Sequence, residues 1–140
     1  KDTILALSND VTFSLLIPRK VKRGIQRIFR KIGEPRIFVV ILFSAGISLV
    51  VQKVRPQYKI SVDKEYIGKE NEIGDYLSAM LSKIKNPPPI IFTRIGKESP
   101  AHFLAKITAQ GKKKPNSKAS LEDLISEIKK TEVGKRLKNA

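Results

Sequence analysis

Apolar residues along the chain fall into two kinds of pattern, short runs typical of strands and longer stripes typical of helices. Residues 3–8 form a compact apolar run that ends at a turn, and alternation over residues 11–17 predicts the second strand of a hairpin. Residues 58–62 and 90–95 predict two further strands, and a charged turn follows each of them. These four runs are the strands that the pattern supports.

Helical spacing of apolar residues recurs in five segments, which are residues 18–32, 36–53, 73–84, 99–107 and 120–128. Pro18 suits the start of the first helix, and Gly33 suits its end. The long apolar segment predicts a buried helix, with a strand over residues 37–43 as the alternative. Ser120 and Asp123 resemble a capping box at the start of the last helix.

The alternation of strands and helices predicts a layered α/β domain. We expect one α/β domain over residues 1–110, followed by a basic linker and a C-terminal helix over residues 111–140. Residues 129–140 are basic and are expected to fray. Few strands are visible in the pattern, so either the sheet is small or further strands exist that the pattern does not mark.

Charge changes this picture most, because 28 Lys and Arg residues against 13 acids give a formal net charge of +15. Such self-repulsion favours an anionic partner, and we expect nucleic acid, either DNA or RNA. The cations cluster on the first helix and in a later lysine run, so the expected nucleic-acid-binding residues are Arg19, Lys20, Lys22, Arg23, Arg27, Arg30, Lys112, Lys113 and Lys114. Charge that serves only solubility, and docking of the basic helix on an anionic membrane, are the alternatives.

Composition also excludes several classes of site. The chain has no Cys and a single His, which excludes a disulfide framework, a thiol nucleophile and a multi-histidine zinc site. The turn Gly96-Lys97-Glu98 lacks the Lys-Ser/Thr of a P-loop. Residues 37–51 are too few to span hydrocarbon, which takes about 20 residues. We therefore expect no membrane span and a cytoplasmic protein.

Acidic residues near the strand ends are the candidates for chemistry. Asp63 and Glu65 are two apart after a strand, so both carboxylates can face one site and hold magnesium or manganese. Asp10 closes the first strand and can approach the same place if the first and third strands are neighbours. His102 lies in the first turn of the helix that opens at Ser99, where it can carry a proton. Each residue also has a structural alternative as a solvated strand end, a turn or a helix cap.

Three segments of the chain together resemble a ribonuclease H-like domain, and the resemblance is closest to the small nuclease and transposase-related members of that family. They are Asp10 after the first strand, residues 62–66 (Val-Asp-Lys-Glu-Tyr) after a middle strand, and the late strand that leads into residues 95–102. The resemblance covers roughly residues 3–110 and implies a layered, ribonuclease H-like mixed sheet with flanking helices. It also implies strand-borne acids that bind two divalent ions, with Asp10 and Asp63 among them and Glu98 or His102 near the last site position.

Two functions follow as expectations. The first is a nucleic-acid-binding protein with a metal-dependent phosphodiesterase site, in which Asp63, Glu65 and Asp10 hold magnesium or manganese and His102 assists proton transfer. The second is a non-catalytic nucleic-acid-binding or ribonucleoprotein structural protein, in which the same acids only brace the fold. The basic composition supports nucleic-acid binding in both.

Overall fold

The computed structural model describes residues 3–8, 12–54, 60–63, 68–93, 108 and 114–139. The α-helices of this part are α1 (Arg19–Lys31), α2 (Phe38–Val54), α3 (Glu70–Met80) and α4 (Leu121–Ile128). Its strands are β1 (Thr3–Ser8), β2 (Thr12–Ile17), β3 (Ile60–Asp63), β4 (Ile90–Thr93) and β5 (Ser117–Lys118). A 3-10 helix, Val133–Asn139, follows α4.

The expected layered, ribonuclease H-like mixed sheet is wrong. The described strands form two small sheets, one in the order β1-β2-β5 and the other the parallel pair β3-β4. The four α-helices have 8 to 17 residues, whereas the strands have two to six, so this part of the chain is mainly helical. The physical reason is that the helices pack around α2, a helix buried on nearly all sides, and not on the faces of one broad sheet.

The central helix α2 confirms the prediction of a buried helix, and the alternative of a strand over residues 37–43 is wrong. Ser44, Ala45 and Ser48 are fully buried, and these small side chains let neighbouring elements approach closely. α1, α3, α4 and β2 all pack on α2. Among the described helices, none combines the length and the apolarity that a bilayer crossing requires, although α2 has 17 residues.

A buried carboxylate joins α2 to α4. Glu127 is 4% exposed and accepts hydrogen bonds from Ser48 Oγ and Gln52 Nε2, each at 2.6 Å, and from Lys130 Nζ at 3.0 Å. A charge in an apolar interior is costly unless such donors surround it. In the described residues no buried side-chain nitrogen or oxygen lacks a partner. The α2–α4 contact is therefore held by a complete polar network as well as by apolar packing.

The end of the chain is more ordered than its basic composition predicted. The capping box is confirmed, because Ser120 Oγ accepts from the Asp123 N–H while Asp123 Oδ2 accepts from the Ser120 N–H. The expectation of fraying is wrong for residues 129–139, since Leu137 is buried against the core. Gly134 permits this packing, because a side chain there would collide with the carbonyl of Ile128.

Candidate nucleic-acid interface

The helix α1 forms because one side of it is apolar and enters the core. Ile25 and Phe29 are buried at 1% and 0% exposure, and Val21, Ile28 and Ile32 pack beside them. Gly33 ends the helix with a φ of +80°, a conformation that glycine adopts without strain. The Glu34 N–H then donates to the Phe29 carbonyl at 2.8 Å, which closes the last turn. The helix is thus fixed in orientation by packing and by its C-terminal turn.

The opposite side of α1 carries seven cations and no acid, and we call it the basic face. It consists of Arg19, Lys20, Lys22, Arg23, Arg27, Arg30 and Lys31. At about 100° per residue, the four arginines lie within about 80° of arc, and the lysines flank them on both sides. We call Arg19, Arg23, Arg27 and Arg30 the arginine row, and all four are exposed. The row places guanidinium groups along the middle of the basic face. Each guanidinium can make two parallel hydrogen bonds to one phosphate.

Most cations of the basic face have no acidic partner among the described residues. The ion pairs of that part of the chain join Lys69 to Glu72, Lys130 to Glu127, Lys135 to Glu132 and Arg136 to Glu34. Within the same ranges, five cations of α1 make no ion pair, and these are Lys20, Arg23, Arg27, Arg30 and Lys31. Their charges are therefore available to an anion from outside the molecule.

The start of α1 is electrostatically unfavourable for cations. Its first turn contains no acid, and Pro18 supplies no side-chain cap. The N-terminus of a helix carries a partial positive charge, so a cation such as Lys20 lowers the stability of this turn. Arg30 and Lys31, in contrast, lie in the last turn, where the helix dipole favours them. The basic face thus keeps positive charge even where helix electrostatics oppose it.

The apolar side of α1 is not free to enter a lipid bilayer. Amphipathic helices that lie on membranes bury their apolar face among the acyl chains. In α1 that face is already packed against α2 and α4, and Phe29 has no exposed surface. Only the charged side of the helix is therefore open to a partner.

The residues expected to hold a metal are for the most part outside the described part of the chain. Asp10, Glu65 and His102 lie there, as do Glu98, Lys112 and Lys113. Asp63 is the last residue of β3 and is paired in parallel register with Thr93, the last residue of β4. The two strand ends are therefore neighbours, and each of them precedes a charged stretch of the sequence. The convergence of carboxylates beyond them stays a prediction.

Within the described ranges the structure offers no alternative metal centre. These residues contain no group of three or more acidic or histidine side chains placed to hold a metal ion. Magnesium or manganese binding therefore rests on the sequence alone.

The remaining predicted contact residue, Lys114, is exposed. Lys118, a second exposed lysine of the same segment, was not predicted from the sequence as a contact residue. It lies in β5, and a strand of two residues has no periodic pattern. Only the pairing of β5 with β2 reveals where Lys118 lies.

No protein-family model, curated protein or solved structure matches the chain.

Proposed function

We propose that the protein binds nucleic acid through the basic face of α1. The observation that carries this proposal is the arginine row, which is exposed along a helix anchored in the core. Arg23, Arg27 and Arg30 of this row have no ion pair with any described residue. Three guanidinium groups without an ion pair in the described ranges, held on a helix that is packed into the core, suit the regularly spaced charges of a phosphodiester backbone.

The basic face favours contacts with phosphates over contacts with bases. It consists of Arg and Lys, while Gln26, the only neutral polar side chain of α1, is half-buried. Arg and Lys can bind guanine as well as phosphate, but Asn and Gln, which bind adenine, are not exposed on this face, and contacts to phosphate carry no sequence information. At about 1.5 Å per residue, the arginine row spans roughly 17 Å, a length over which duplex DNA presents about ten phosphates. We therefore expect strong dependence on salt and weak dependence on sequence.

The salt dependence of binding tests this proposal. The dissociation constant of a DNA duplex of about 20 bp, which is roughly two helical turns, is measured across a series of KCl concentrations. For duplex DNA the slope of log affinity against log salt is about −0.9 per neutralised phosphate. Replacing Arg23, Arg27 and Arg30 with Gln should therefore make the slope less negative by up to about 2.7.

A matched control removes the same charge elsewhere. Lys53, Lys83 and Lys85 are exposed and lie outside α1, so their triple replacement with Gln should leave most of the slope intact. Equal slopes for the wild type and the arginine variant would remove α1 from the interface. The series is then repeated with single-stranded RNA, for which the slope is about −0.7 per neutralised phosphate. Comparing the two series distinguishes duplex DNA from single-stranded RNA as the partner.

Cleavage of the bound nucleic acid is a further proposal, favoured only by the adjacent ends of β3 and β4. Asp63 and Glu65 would hold magnesium or manganese there, and His102 would move a proton. The strand that precedes Asp10, β1, lies in the other sheet, so the expected contribution of Asp10 loses its basis. Incubating labelled DNA and RNA with MgCl₂ or MnCl₂ should then give cleavage that Asp63→Asn abolishes. Intact substrates after incubation with the wild-type protein would favour the non-catalytic alternative.

A further inference from the structure

The segment that contains Lys114 and Lys118 is fixed to the sheet, although its composition predicted a linker. Asn116 Oδ1 accepts from the Ser14 N–H at 2.8 Å and from Ser14 Oγ at 3.3 Å, while the Asn116 N–H donates to Ser14 Oγ at 3.2 Å. The Ala119 N–H donates to the Leu16 carbonyl at 2.8 Å. Ser14 and Ala119 are buried at 0% and 1% exposure, whereas Asn116 is exposed, so the segment is fastened to buried residues from the surface.

This anchoring brings Lys118 beside the start of α1. β5 runs parallel to β2, with Lys118 in register with Leu16, and β2 leads through Pro18 directly into α1. Farther along the same segment, the Leu121 side chain packs over Gly24, where a Cβ would lie 3.4 Å from it. The segment from Lys118 to Leu121 thus runs alongside the first turns of α1.

The surface where this segment lies beside the start of α1 is positively charged. Lys114 and Lys118 are exposed and make no ion pair with any residue in the described ranges. Of the two acids in the first turn of α4, Asp123 is engaged in the capping box with Ser120. Glu122, the other acid of that turn, is exposed and opposes the local positive potential.

We infer that Lys118 extends the basic face of α1, so that one cationic surface formed by two remote segments contacts the phosphate backbone. This inference rests on the proposed function and adds a contact residue to it. Asn116 acts as a positioning residue, because its hydrogen bonds to Ser14 hold the segment in place without touching the ligand.

Single substitutions test this inference in the same duplex titration. Lys118→Gln should make the log–log slope less negative by about 0.9, so the loss of affinity between 50 and 200 mM salt shrinks by about 3.5-fold. Lys85→Gln removes the same charge from the segment after α3 and should leave the slope unchanged. Glu122→Gln should tighten binding, because it removes the opposing charge.

A second variant tests whether the position of Lys118, and not only its charge, matters for binding. Asn116→Ala keeps every charge, so a smaller slope in a protein that remains folded by circular dichroism reports the release of Lys118. If the arginine variant reduces the slope while Lys118→Gln does not, the inference is wrong and the proposed function stands. If neither variant reduces it, both are wrong.

Discussion

The helices α1 and α3 both pack with one apolar side against the rest of the fold, α2 included, yet they carry opposite charges. α1 has seven cations and no acid, whereas α3 has Glu70, Glu72 and Asp75 and no cation. Two of the acids of α3 lie in its first turn, where the helix dipole stabilises them. α1 places cations in the equivalent turn, where the dipole opposes them. The charges of α3 thus assist its own folding, and several of those of α1 do not.

This difference indicates where to look for function. A feature that weakens local stability without a compensating contact is more common at functional sites than elsewhere. The charged side of α3 needs no ligand to explain it. The basic face of α1 does, because five of its cations have no ion pair within the described ranges and one of them, Lys20, also lies at the unfavourable end of the helix dipole.

The largest expected loss of stability comes from removing the buried carboxylate of Glu127. Glu127→Ala removes the carboxylate that accepts hydrogen bonds from Ser48, Gln52 and Lys130, so we expect the free energy of unfolding to fall by about 3 kcal/mol. Chemical denaturation measures this loss. Ser126→Ala, an exposed change on the same helix, should stay within about 0.5 kcal/mol. Similar losses in the two variants would contradict the structural role of the buried network.

A smaller effect tests the contrast between the two helix starts directly. Lys20→Glu should raise the free energy of unfolding by about 0.3–1 kcal/mol, because it replaces a cation with an anion at the N-terminus of α1. Glu70→Lys makes the reverse change in α3 and should lower it by a similar amount. Thermal unfolding at low salt measures both. Stabilisation by both substitutions, or by neither, would show that the helix dipole does not determine the effect of charge at these two helix starts.

The smallest effect concerns Tyr76, which reports the acidic surroundings of α3. Burial raises the pKa of the Tyr76 phenol, and the nearby carboxylates of Glu72, Glu34 and Asp75 raise it further. The folded state therefore favours the neutral phenol. Its contribution to stability is fully present below the unfolded pKa of about 10 and is lost as the pH rises through the folded pKa.

Alkaline unfolding measures this contribution. Tyr76→Phe should remove the part of the stability loss above about pH 10 that Tyr76 causes, with little change at neutral pH. Glu72→Gln should lower the pKa of Tyr76 towards its ordinary value, as followed by NMR titration. An unchanged titration would show that the carboxylate of Glu72 does not act on this side chain.

Much of the secondary structure could be predicted from the sequence, because periodicity depends on local spacing. The stripe through Ile25 and Phe29 identified α1 and, with it, the basic face. The all-round apolar pattern of residues 38–54 identified α2 as buried. The hairpin was predicted from alternation and is confirmed by the antiparallel pairing of β1 with β2.

The arrangement of these elements could not be predicted in the same way. Strands of four residues, such as β3 and β4, do not reveal whether they join one sheet or form a separate pair. β5 is held by the hydrogen bonds of Asn116 to Ser14, 102 residues away in sequence, so no local pattern marks it. Lys118 was missed for the same reason.

Binding through α1 can be observed directly by following arginine side chains by NMR while duplex DNA is added. The Nε–H signals of Arg23, Arg27 and Arg30 should shift. Arg136 should not respond, because it already binds Glu34 Oε1 at 3.1 Å and the Ile32 carbonyl at 2.7 Å. Shifts confined to residues outside α1, with the arginine row unchanged at saturating DNA, would show that the protein does not bind DNA through the basic face.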